Sequence, residues 1–274
     1  MSIGCYTLIK NEAPWIAAHI LRVLPFVSEM VFYDGNSTDG TPEIIEAIKS
    51  ESPEGRKIKL VRNADPKDLR GDYTRLFNEC MRELTADLAW FLHPDMWIIN
   101  PERILQIANS DAVALSTSIR SFAGEPDGEL YEIKGRDDAW KNIDRLRNPD
   151  LGAVYHGPYG AWNEGVYPTA IVGDSRHLHK SLDRYPYEIE DSGLEVLHFS
   201  DVRPLERRLG RMRTCLENQG WKLTPAEFEK KLTEHPRVTL KSGDGFEFVP
   251  AEYPAEMLAI RAKYSHLERT LVNA

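Results

Sequence analysis

MVFYDGNSTDGT, at residues 30–41, joins an apolar strand to a turn that begins with Asp34. A second stretch, LAWFLHPDMW at residues 88–97, repeats this pattern and ends its strand in His-Pro-Asp. Asp-Gly-Asn-Ser after a strand is a common turn sequence, so the first stretch alone would indicate no more than a turn. Because both stretches occur in a chain that alternates strands with helices, we interpret their polar ends as two parts of one site.

Hydrophobic periodicity predicts this alternation over the first half of the chain. We expect strands at residues 3–9, 31–33, 58–61, 88–92 and 112–119. Helices are expected between them, with Thr41 as an N-cap and with the apolar positions of residues 73–84 on one buried face. Such alternation implies an α/β fold with a mainly parallel sheet covered on both faces. In such a sheet, ligands bind beyond the carboxyl ends of the strands.

The rest of the chain has weaker patterns. Residues 120–195 are rich in Gly, Pro, aromatic residues, Asp and His, and we interpret them as loops and short strands. A short strand is expected at residues 194–197, and a helix rich in arginine is expected beyond it. Residues 224–274 predict two further helices joined by a turn near residues 241–245.

Charge and cysteine count argue against several classes of protein. Acidic residues outnumber basic ones by 43 to 34, so the net charge is -9 and no diffuse cationic surface favours nucleic acid. No apolar run approaches the roughly 18 to 20 residues that span a bilayer, and no basic segment precedes the first apolar stretch as in a secretory signal. Three widely spaced cysteines fit reduced thiols. We therefore expect a cytoplasmic protein without a transmembrane segment.

Asp95 is the best candidate for a metal ligand, because it follows an apolar strand where its carboxylate would face the cleft. Transfer of a sugar from a nucleotide diphosphate commonly uses a divalent cation at the leaving group, and oxygen ligands with an occasional imidazole suit Mn2+ or Mg2+. His198 is the second candidate ligand, and the alternative is a partly buried histidine that caps the following helix. For Asp95 the alternative is a turn residue after Pro94.

Two acids and two arginines are candidate contacts to a nucleotide donor. Glu12 and Asp34 can hydrogen-bond a ribose or a base; alternatively, Glu12 starts the first helix and Asp34 organises its turn. Arg70 and Arg203 can contact phosphate, and the alternative is solvated surface charge.

The catalytic base has several candidates. Glu164 in GAWNEGVYP and Glu190 or Asp191 in YEIEDSG lie among aromatic residues that can stack on a sugar. An inverting transfer needs one such carboxylate within hydrogen-bond reach of the acceptor hydroxyl. Asp137 and Asp138 are a weaker option, and the alternatives stay open.

The first 120 or so residues resemble the family 2 glycosyltransferases of the GT-A fold. The matching pieces are Lys10-Asn11-Glu12, the Asp-Gly-Asn-Ser-Thr-Asp-Gly-Thr run at residues 34–41, Asn78 in the helix at 73–84, and His93-Pro94-Asp95. The resemblance implies that Glu12 and Asp34 hold the nucleoside, that Asp95 binds a metal at the diphosphate, and that His198 completes the metal site. The sequence departs from the family at His93, which stands where Asp-x-Asp usually has its first acid.

Our leading hypothesis is an inverting glycosyltransferase that moves a sugar from a UDP- or GDP-sugar to a glycan or other hydroxyl acceptor. The alternatives are a catalytically idle GT-A-like module that binds a nucleotide or a glycan, and a glycosyltransferase that acts on modified DNA or on a protein. Because the net charge is acidic, we do not expect a nucleic-acid partner.

The complete prediction has a GT-A-like, Rossmann-type sheet that is mostly parallel, helices on both faces, and a helical C-terminal region. Its segments are residues 1–120 for the nucleotide sugar, 121–200 for the acceptor side of the same domain, and 201–274 for the C-terminal helices. The predicted site residues are Glu164, Glu190 and Asp191 for catalysis, Asn11, Glu12, Asp34, Asn36 and Arg70 for the nucleotide, Asp95 and His198 for Mn2+ or Mg2+, and His93 and Arg203 for the donor.

Overall fold

The computed structural model of the chain describes residues 2–62, 76, 79–80, 82–86, 88–107, 114–134, 140–144, 189–218, 223–243 and 245–269. It divides into two compact units. The first unit combines residues 1–119, 140–196 and 256–274, and the second combines residues 120–139 and 197–255. The three-segment division of the chain stays a prediction.

A parallel sheet forms the centre of the first unit. Its strands are β1 (Ile3–Ile9), β2 (Glu29–Asp34), β3 (Ile58–Arg62) and β4 (Leu88–Phe91), in the order β3-β2-β1-β4. Nearly every described side chain of β1 and β2 is buried, as expected for parallel strands covered on both faces. The strand order reverses between β1 and β4, and this is the switch point at which open α/β sheets bind ligands. The predicted Rossmann-type α/β fold is thereby confirmed.

Two helices cover one face of this sheet. Helix α1 (Ala13–Val23) connects β1 to β2, and helix α2 (Thr41–Glu51) connects β2 to β3. Both crossovers step in the same direction along the sheet, so right-handed connections place both helices on one face, where they contact each other. Each Ile or Val side chain that they bury contributes about 1.5–3 kcal/mol.

The helix predicted at residues 73–84 lies mostly outside the described residues. Its described positions 76, 79, 80 and 82 are helical, and the side chains of Leu76, Cys80 and Leu84 are buried. Leu76 and Cys80 are four residues apart, so they lie on one face of the helix as the periodicity predicted, and Leu84 follows its end.

The remaining elements of the first unit follow β4. Strand β5 (Met96–Ile98) precedes the short helix α3 (Arg103–Ile107) and strand β6 (Ala114–Gly124), and β6 passes into the second unit. Antiparallel to the first half of β6 lies strand β8 (Trp140–Asp144). Strand β9 (Ile189–Val202) lies beside β5, where the Ile99 N–H donates to the Glu195 carbonyl at 2.8 Å.

The second unit combines an antiparallel sheet with helices. Strand β7 (Leu130–Lys134) pairs with the end of β6 and with strand β10 (Glu247–Ala251). Its helices are α4 (Leu205–Asn218), α5 (Pro225–Glu234) and the short α6 (Pro236–Thr239). Helix α7 (Ala255–Tyr264) and a 3₁₀ turn (Ser265–Leu267) then belong almost entirely to the first unit.

Several predictions for the second half need correction. The strand expected at residues 194–197 is the fourteen-residue β9, and its first half escaped notice because Asp191, Ser192 and Gly193 disfavour strands. A strand, β10, occurs where only helices were predicted. It contains Pro250 and most of its residues are exposed, so it lacks the apolar alternation that would announce it.

Among the described residues, no helix is both long enough and apolar enough to cross a membrane.

Candidate functional site

The strand register brings the polar ends of the parallel strands to one edge of the sheet. Ile9 at the end of β1 pairs with Asp34 at the end of β2, and Asp34 pairs in turn with Arg62 of β3. On the other side of β1, Tyr6 pairs with Phe91, and the Leu92 N–H donates to the Tyr6 carbonyl at 3.3 Å. The segments after β1, β2 and β4 therefore leave the sheet side by side at its switch point.

Asn11 joins the loop after β1 (residues 10–12) to the loop after β2 (residues 35–40). Its backbone N–H donates to the Ser37 hydroxyl at 2.8 Å, and its side-chain oxygen accepts from the Thr38 N–H at 2.8 Å. The φ of Asn11 is 58°, in the left-handed region that asparagine tolerates better than most residues. Asn36 in the second loop is also left-handed, with φ 62°. The two loops are thus one structure with two strained positions.

Asp39 makes the second connection between the loops. Its carboxylate accepts from the Ala13 N–H at 3.0 Å and from the Thr41 N–H at 3.1 Å, while the Thr41 hydroxyl donates to it at 2.5 Å. The same hydroxyl accepts the Glu12 N–H at 2.8 Å. The prediction that Thr41 is the N-cap is wrong: Gly40, with φ 95°, holds that position and Thr41 begins the helix. Because Gly40 holds the N-cap position, the Thr41 hydroxyl is available for its hydrogen bonds with Asp39 and Glu12.

Asp34 is buried beside these connections, with 2% of its surface exposed. Its carboxylate accepts from the Ser37 N–H at 3.1 and 3.3 Å and from the Ser37 hydroxyl at 2.5 Å. Burial raises the pKa of Asp34, although the Ser37 hydrogen bonds and the charge of Arg62 lower it. Asp34 therefore does organise its turn. A carboxylate can accept about four hydrogen bonds, so capacity remains for a ligand donor.

The four described residues of the predicted nucleotide set share this edge of the sheet. Asn11 and Asp34 belong to the hydrogen-bonded loops, Glu12 is buried with 8% exposed, and Asn36 is exposed at the loop surface. The fifth member, Arg70, lies outside the described residues.

Asp95 lies on the turn after β4 and is 4% exposed, so the structure places it deeper than a residue on an open cleft. His93, two residues earlier, is half-buried. The imidazole of His19, from α1, is close to this turn: its Nδ1 lies 3.5 Å from the Met96 carbonyl. Burial lowers the pKa of His19 to about 4, and the nearby Asp95 charge and the Met96 hydrogen bond raise it in part. His19 is therefore a neutral core residue beneath the His-Pro-Asp turn.

Arg22 of α1 fixes the strand that follows the turn. Its guanidinium donates to the Ile98 carbonyl at 2.7 Å and to the Ile99 carbonyl at 2.5 Å, and it lies 4.8 Å from the centre of the Trp97 ring. Helix α1 thus contacts the segment after β4 through the buried His19, near the turn, and the partly exposed Arg22, at the strand beyond it.

His198 and Arg203 belong to the second unit. His198 lies inside β9 and is half-buried, and α4 begins only at Leu205, so the structure shows a strand residue and not a helix cap. Arg203 is buried, and its Nε donates to the Ser200 carbonyl at 3.0 Å. This contact orders the turn between β9 and α4.

Other arginines of α4 also serve the structure of the second unit. Arg208 is buried, donates to the Gly124 carbonyl at 2.7 Å and forms an ion pair with Glu125 at 3.1 Å. Arg211 donates to the Ser200 carbonyl at 2.5 Å. The basic character of this helix thus comes partly from arginines that hold backbone carbonyls.

The candidate bases and Asn78 stay predictions. Glu190 and Asp191 lie in β9, but the structure describes only their backbone. Outside the described residues lie Glu164, Asp137, Asp138 and Asn78. Within the described ranges, no group of three or more His, Cys, Asp or Glu side chains could hold a metal ion by itself.

The structure also reveals residues that sequence reasoning did not assign. Asp39 and Gly40 were noted only as part of the Asp-Gly-Asn-Ser-Thr-Asp-Gly-Thr run, although an Asp-Gly pair at a helix start does signal a special turn. His19 and Arg22 lie on a helix with no local sign of their contacts to residues 96–99.

Comparison with known proteins explains the edge formed by these loops. A model of glycosyl transferase family 2 matches residues 6–151, which is more than half of the chain. The chain belongs to the family 2 glycosyltransferases. The matched region of this glycosyltransferase includes the hydrogen-bonded loops after β1 and β2 and the His-Pro-Asp turn. The predicted family and enzyme class are confirmed. No curated protein matches its sequence.

Solved structures of low identity resemble this glycosyltransferase. The mannosyltransferase PcManGT from Pyrobaculum calidifontis, in complex with GDP-Man and Mn2+, is 15% identical over 97% of this chain and 80% of its own, with a TM-score of 0.49. S. aureus TarS 1-349 is 14% identical over 87% of this chain and 71% of its own, with a TM-score of 0.46. Glucosyl-3-phosphoglycerate synthase from Mycobacterium tuberculosis, in complex with phosphoglyceric acid, is 16% identical over 81% of this chain and 81% of its own, with a TM-score of 0.45. Every TM-score is below 0.5, so the family assignment rests on the sequence match.

Proposed function

We propose that this glycosyltransferase transfers a sugar, with inversion, from a UDP- or GDP-sugar to a glycan or other hydroxyl acceptor, with Mn2+ or Mg2+ at the diphosphate. The observation that carries the proposal is the pair of hydrogen-bonded loops after β1 and β2 at the switch point, with the buried carboxylate of Asp34 beside them. Burial of an acid whose pKa is raised costs stability, and such costs cluster at functional sites.

The edge of the sheet suits a nucleoside diphosphate. Asp34 ends β2 and the His-Pro-Asp turn follows β4, and β1 lies between these strands. Two strand spacings amount to about 10 Å. Asp34 and Glu12 would accept hydrogen bonds from the nucleoside at one end, and Asp95 would lie at the diphosphate end. A single phosphate group would be too short to use both ends.

The donor set fits a divalent cation at the diphosphate. Asp95 offers a carboxylate and His198 an imidazole, both of which Mn2+ accepts. A cation that binds a nucleotide takes several ligands from phosphate oxygens and water, so it needs one or two protein side chains and not a cluster of three. When bound, it would neutralise charge on the leaving diphosphate. Asp95 would hold it, with His93 as a donor contact two residues earlier. His198 and Arg203 of the second unit stay proposed, from the sequence alone, as a further ligand and a donor contact.

The acceptor hydroxyl needs a base. In an inverting transfer, the acceptor oxygen forms a bond to the anomeric carbon while the bond to the diphosphate oxygen breaks, and a carboxylate takes the hydroxyl proton. Glu164, Glu190 and Asp191 are our candidates for that carboxylate. Their place in the sequence, among aromatic residues that can stack on a sugar, supports them.

A nucleotide-sugar panel tests the proposal. The protein is incubated with UDP- and GDP-sugars and Mn2+, and release of nucleoside diphosphate is measured with and without added acceptor sugars. Asp95→Asn keeps the shape of a buried side chain, and we expect it to lower metal-stimulated turnover on the order of 100-fold. Asp127→Asn makes the same chemical change at an exposed turn of the second unit and should behave as wild type.

Two results would contradict the proposal. Retained nucleotide binding without turnover of any donor would indicate that the protein is a binding module and not a transferase. Full metal-stimulated turnover in the Asp95→Asn variant would remove Asp95 from the cation site.

A further inference from the structure

We propose that residues 265–269, here called the strap, are a positioning element of the donor site: they hold Asp39 and Gly40 and so fix the loop beside Asp34. The strap belongs to the first unit together with that loop. Its effect on donor binding rests on the function proposed above, whereas its effect on the loop does not.

Gly40 shows how closely the strap approaches the loop. A Cβ atom added at Gly40 would lie 2.0 Å from the Leu267 carbonyl oxygen and 3.3 Å from the Glu268 Cα. Both neighbours are backbone atoms, so no flexible side chain could move aside. Gly40 also has φ 95°, which favours glycine for a second reason. The loop and the strap are therefore in backbone-to-backbone contact.

A backbone hydrogen bond joins the two segments beside this contact. The Arg269 N–H donates to the Asp39 carbonyl at 2.8 Å. The side chain of Asp39 meanwhile accepts from the N–H groups of Ala13 and Thr41. Asp39 is buried and thus connects the strap with the start of α1 and the start of α2.

The strap is fastened along α2 at both ends. Near its start, the Tyr264 hydroxyl and the Lys263 ammonium donate to Glu51 at 3.1 and 2.7 Å. At its end, the Arg269 guanidinium donates to Glu43 at 3.0 Å. These charged pairs are largely exposed and contribute little by themselves. The buried contacts to Asp39 and Gly40 carry the positioning role.

Positioning matters here because the loop is held in an unfavourable conformation. Asn36 and Gly40 are both left-handed, and the Ser37 donors that hold Asp34 lie between them. Without the strap, the loop would gain alternative conformations, and a ligand would have to select the competent one. Loss of one such hydrogen bond corresponds to about a 3- to 10-fold loss of affinity.

Two substitutions of one residue separate the strap from its surface charges. Arg269→Pro removes the N–H that binds Asp39, and Arg269→Ala keeps that N–H but removes the guanidinium. Glu268 has ψ 139°, which a following proline accepts. Dissociation constants for UDP and GDP are measured by calorimetry, KM and kcat by diphosphate release, and amide exchange by mass spectrometry over residues 35–41.

We expect Arg269→Pro to raise the nucleotide dissociation constant and KM about 3- to 10-fold, to leave kcat within about twofold, and to speed exchange at residues 35–41. Arg269→Ala should match wild type. Equal behaviour of the two variants, or a fall in kcat with unchanged KM, would overturn the positioning role.

Two further outcomes remain decisive. If wild type binds neither nucleotide, the proposed function fails, but faster exchange at residues 35–41 in Arg269→Pro still supports the strap and unchanged exchange overturns it. If Arg269→Pro does not fold, the wild-type protein tests the proposal instead. Nucleotide binding and the order of the strap are reciprocally linked, so binding should order the strap. UDP or GDP should then slow amide exchange at residues 265–269, and unchanged exchange there would overturn the proposal.

Discussion

Asn11 gives the sharpest test of how the site is built, because its side chain and its backbone make separable contributions. The side chain accepts one hydrogen bond from Thr38, worth about 0.5–1.5 kcal/mol. The backbone has φ 58°, which costs an alanine roughly 1–2 kcal/mol and a glycine almost nothing. Glycine instead makes the unfolded chain more flexible, at about 0.4–1 kcal/mol.

These contributions predict an order of stability. Both Asn11→Ala and Asn11→Gly lose the Thr38 bond, and the alanine variant adds strain that exceeds the entropic cost of glycine by about 1 kcal/mol. We therefore expect Asn11→Ala to unfold at a urea concentration about 0.3–1 M below that of Asn11→Gly, with an unchanged slope. Urea titrations followed by intrinsic fluorescence measure this difference, and both variants should bind UDP or GDP more weakly than wild type.

Asn36 supplies the matched control. Its backbone is also left-handed, with φ 62°, but among the described residues its side chain makes no hydrogen bond. Asn36→Gly should therefore be close to neutral, while Asn36→Ala should cost about 1 kcal/mol. Equal urea midpoints for the alanine and glycine variants of Asn11 would refute the strain argument, and wild-type stability in both would refute the hydrogen bond.

Two further predictions concern a buried acid and a buried base. Burial raises the pKa of Asp34, so folding stability is lost as pH rises from its ordinary 3.8 through the raised pKa of the folded state. Asp34→Asn should gain stability relative to wild type as pH rises through this range, yet lose nucleotide affinity, as urea midpoints and calorimetry will show. Arg208→Met loses contacts to Gly124 and Glu125 and should cost roughly 1–3 kcal/mol in thermal unfolding, whereas Arg213→Met, at a mostly exposed ion pair, should cost less than about 0.5 kcal/mol.

Local patterns were enough to predict the parallel sheet and the position of its polar edge. Met30, Val31, Phe32 and Tyr33 before Asp34 are buried, as are Trp90 and Leu92 before the His-Pro-Asp triplet, and consecutive crossovers leave few possible topologies. The loop after β2 was predictable as a turn because Asp, Gly and Asn tolerate left-handed conformations.

Connections between distant segments could not be predicted from the sequence. The Asn11 contacts to Ser37 and Thr38 depend on a register that only the folded sheet defines. Buried arginines such as Arg208 have the same local signature as solvated ones, because their partners are backbone carbonyls elsewhere in the chain. For β10, exposure removes the apolar alternation on which strand prediction depends.

The strap has a consequence for the order in which this glycosyltransferase matures. Its Arg269 binds Asp39 in the donor loop and, across 226 residues of sequence, Glu43 in α2, so these contacts close one of the longest loops in the chain. Contacts of such high sequence separation form slowly, and during synthesis the N-terminal strands leave the ribosome long before residue 269 exists. A nascent chain would therefore assemble its parallel sheet early and still lack a finished donor loop, so that the donor binds at full affinity only when synthesis has passed the strap.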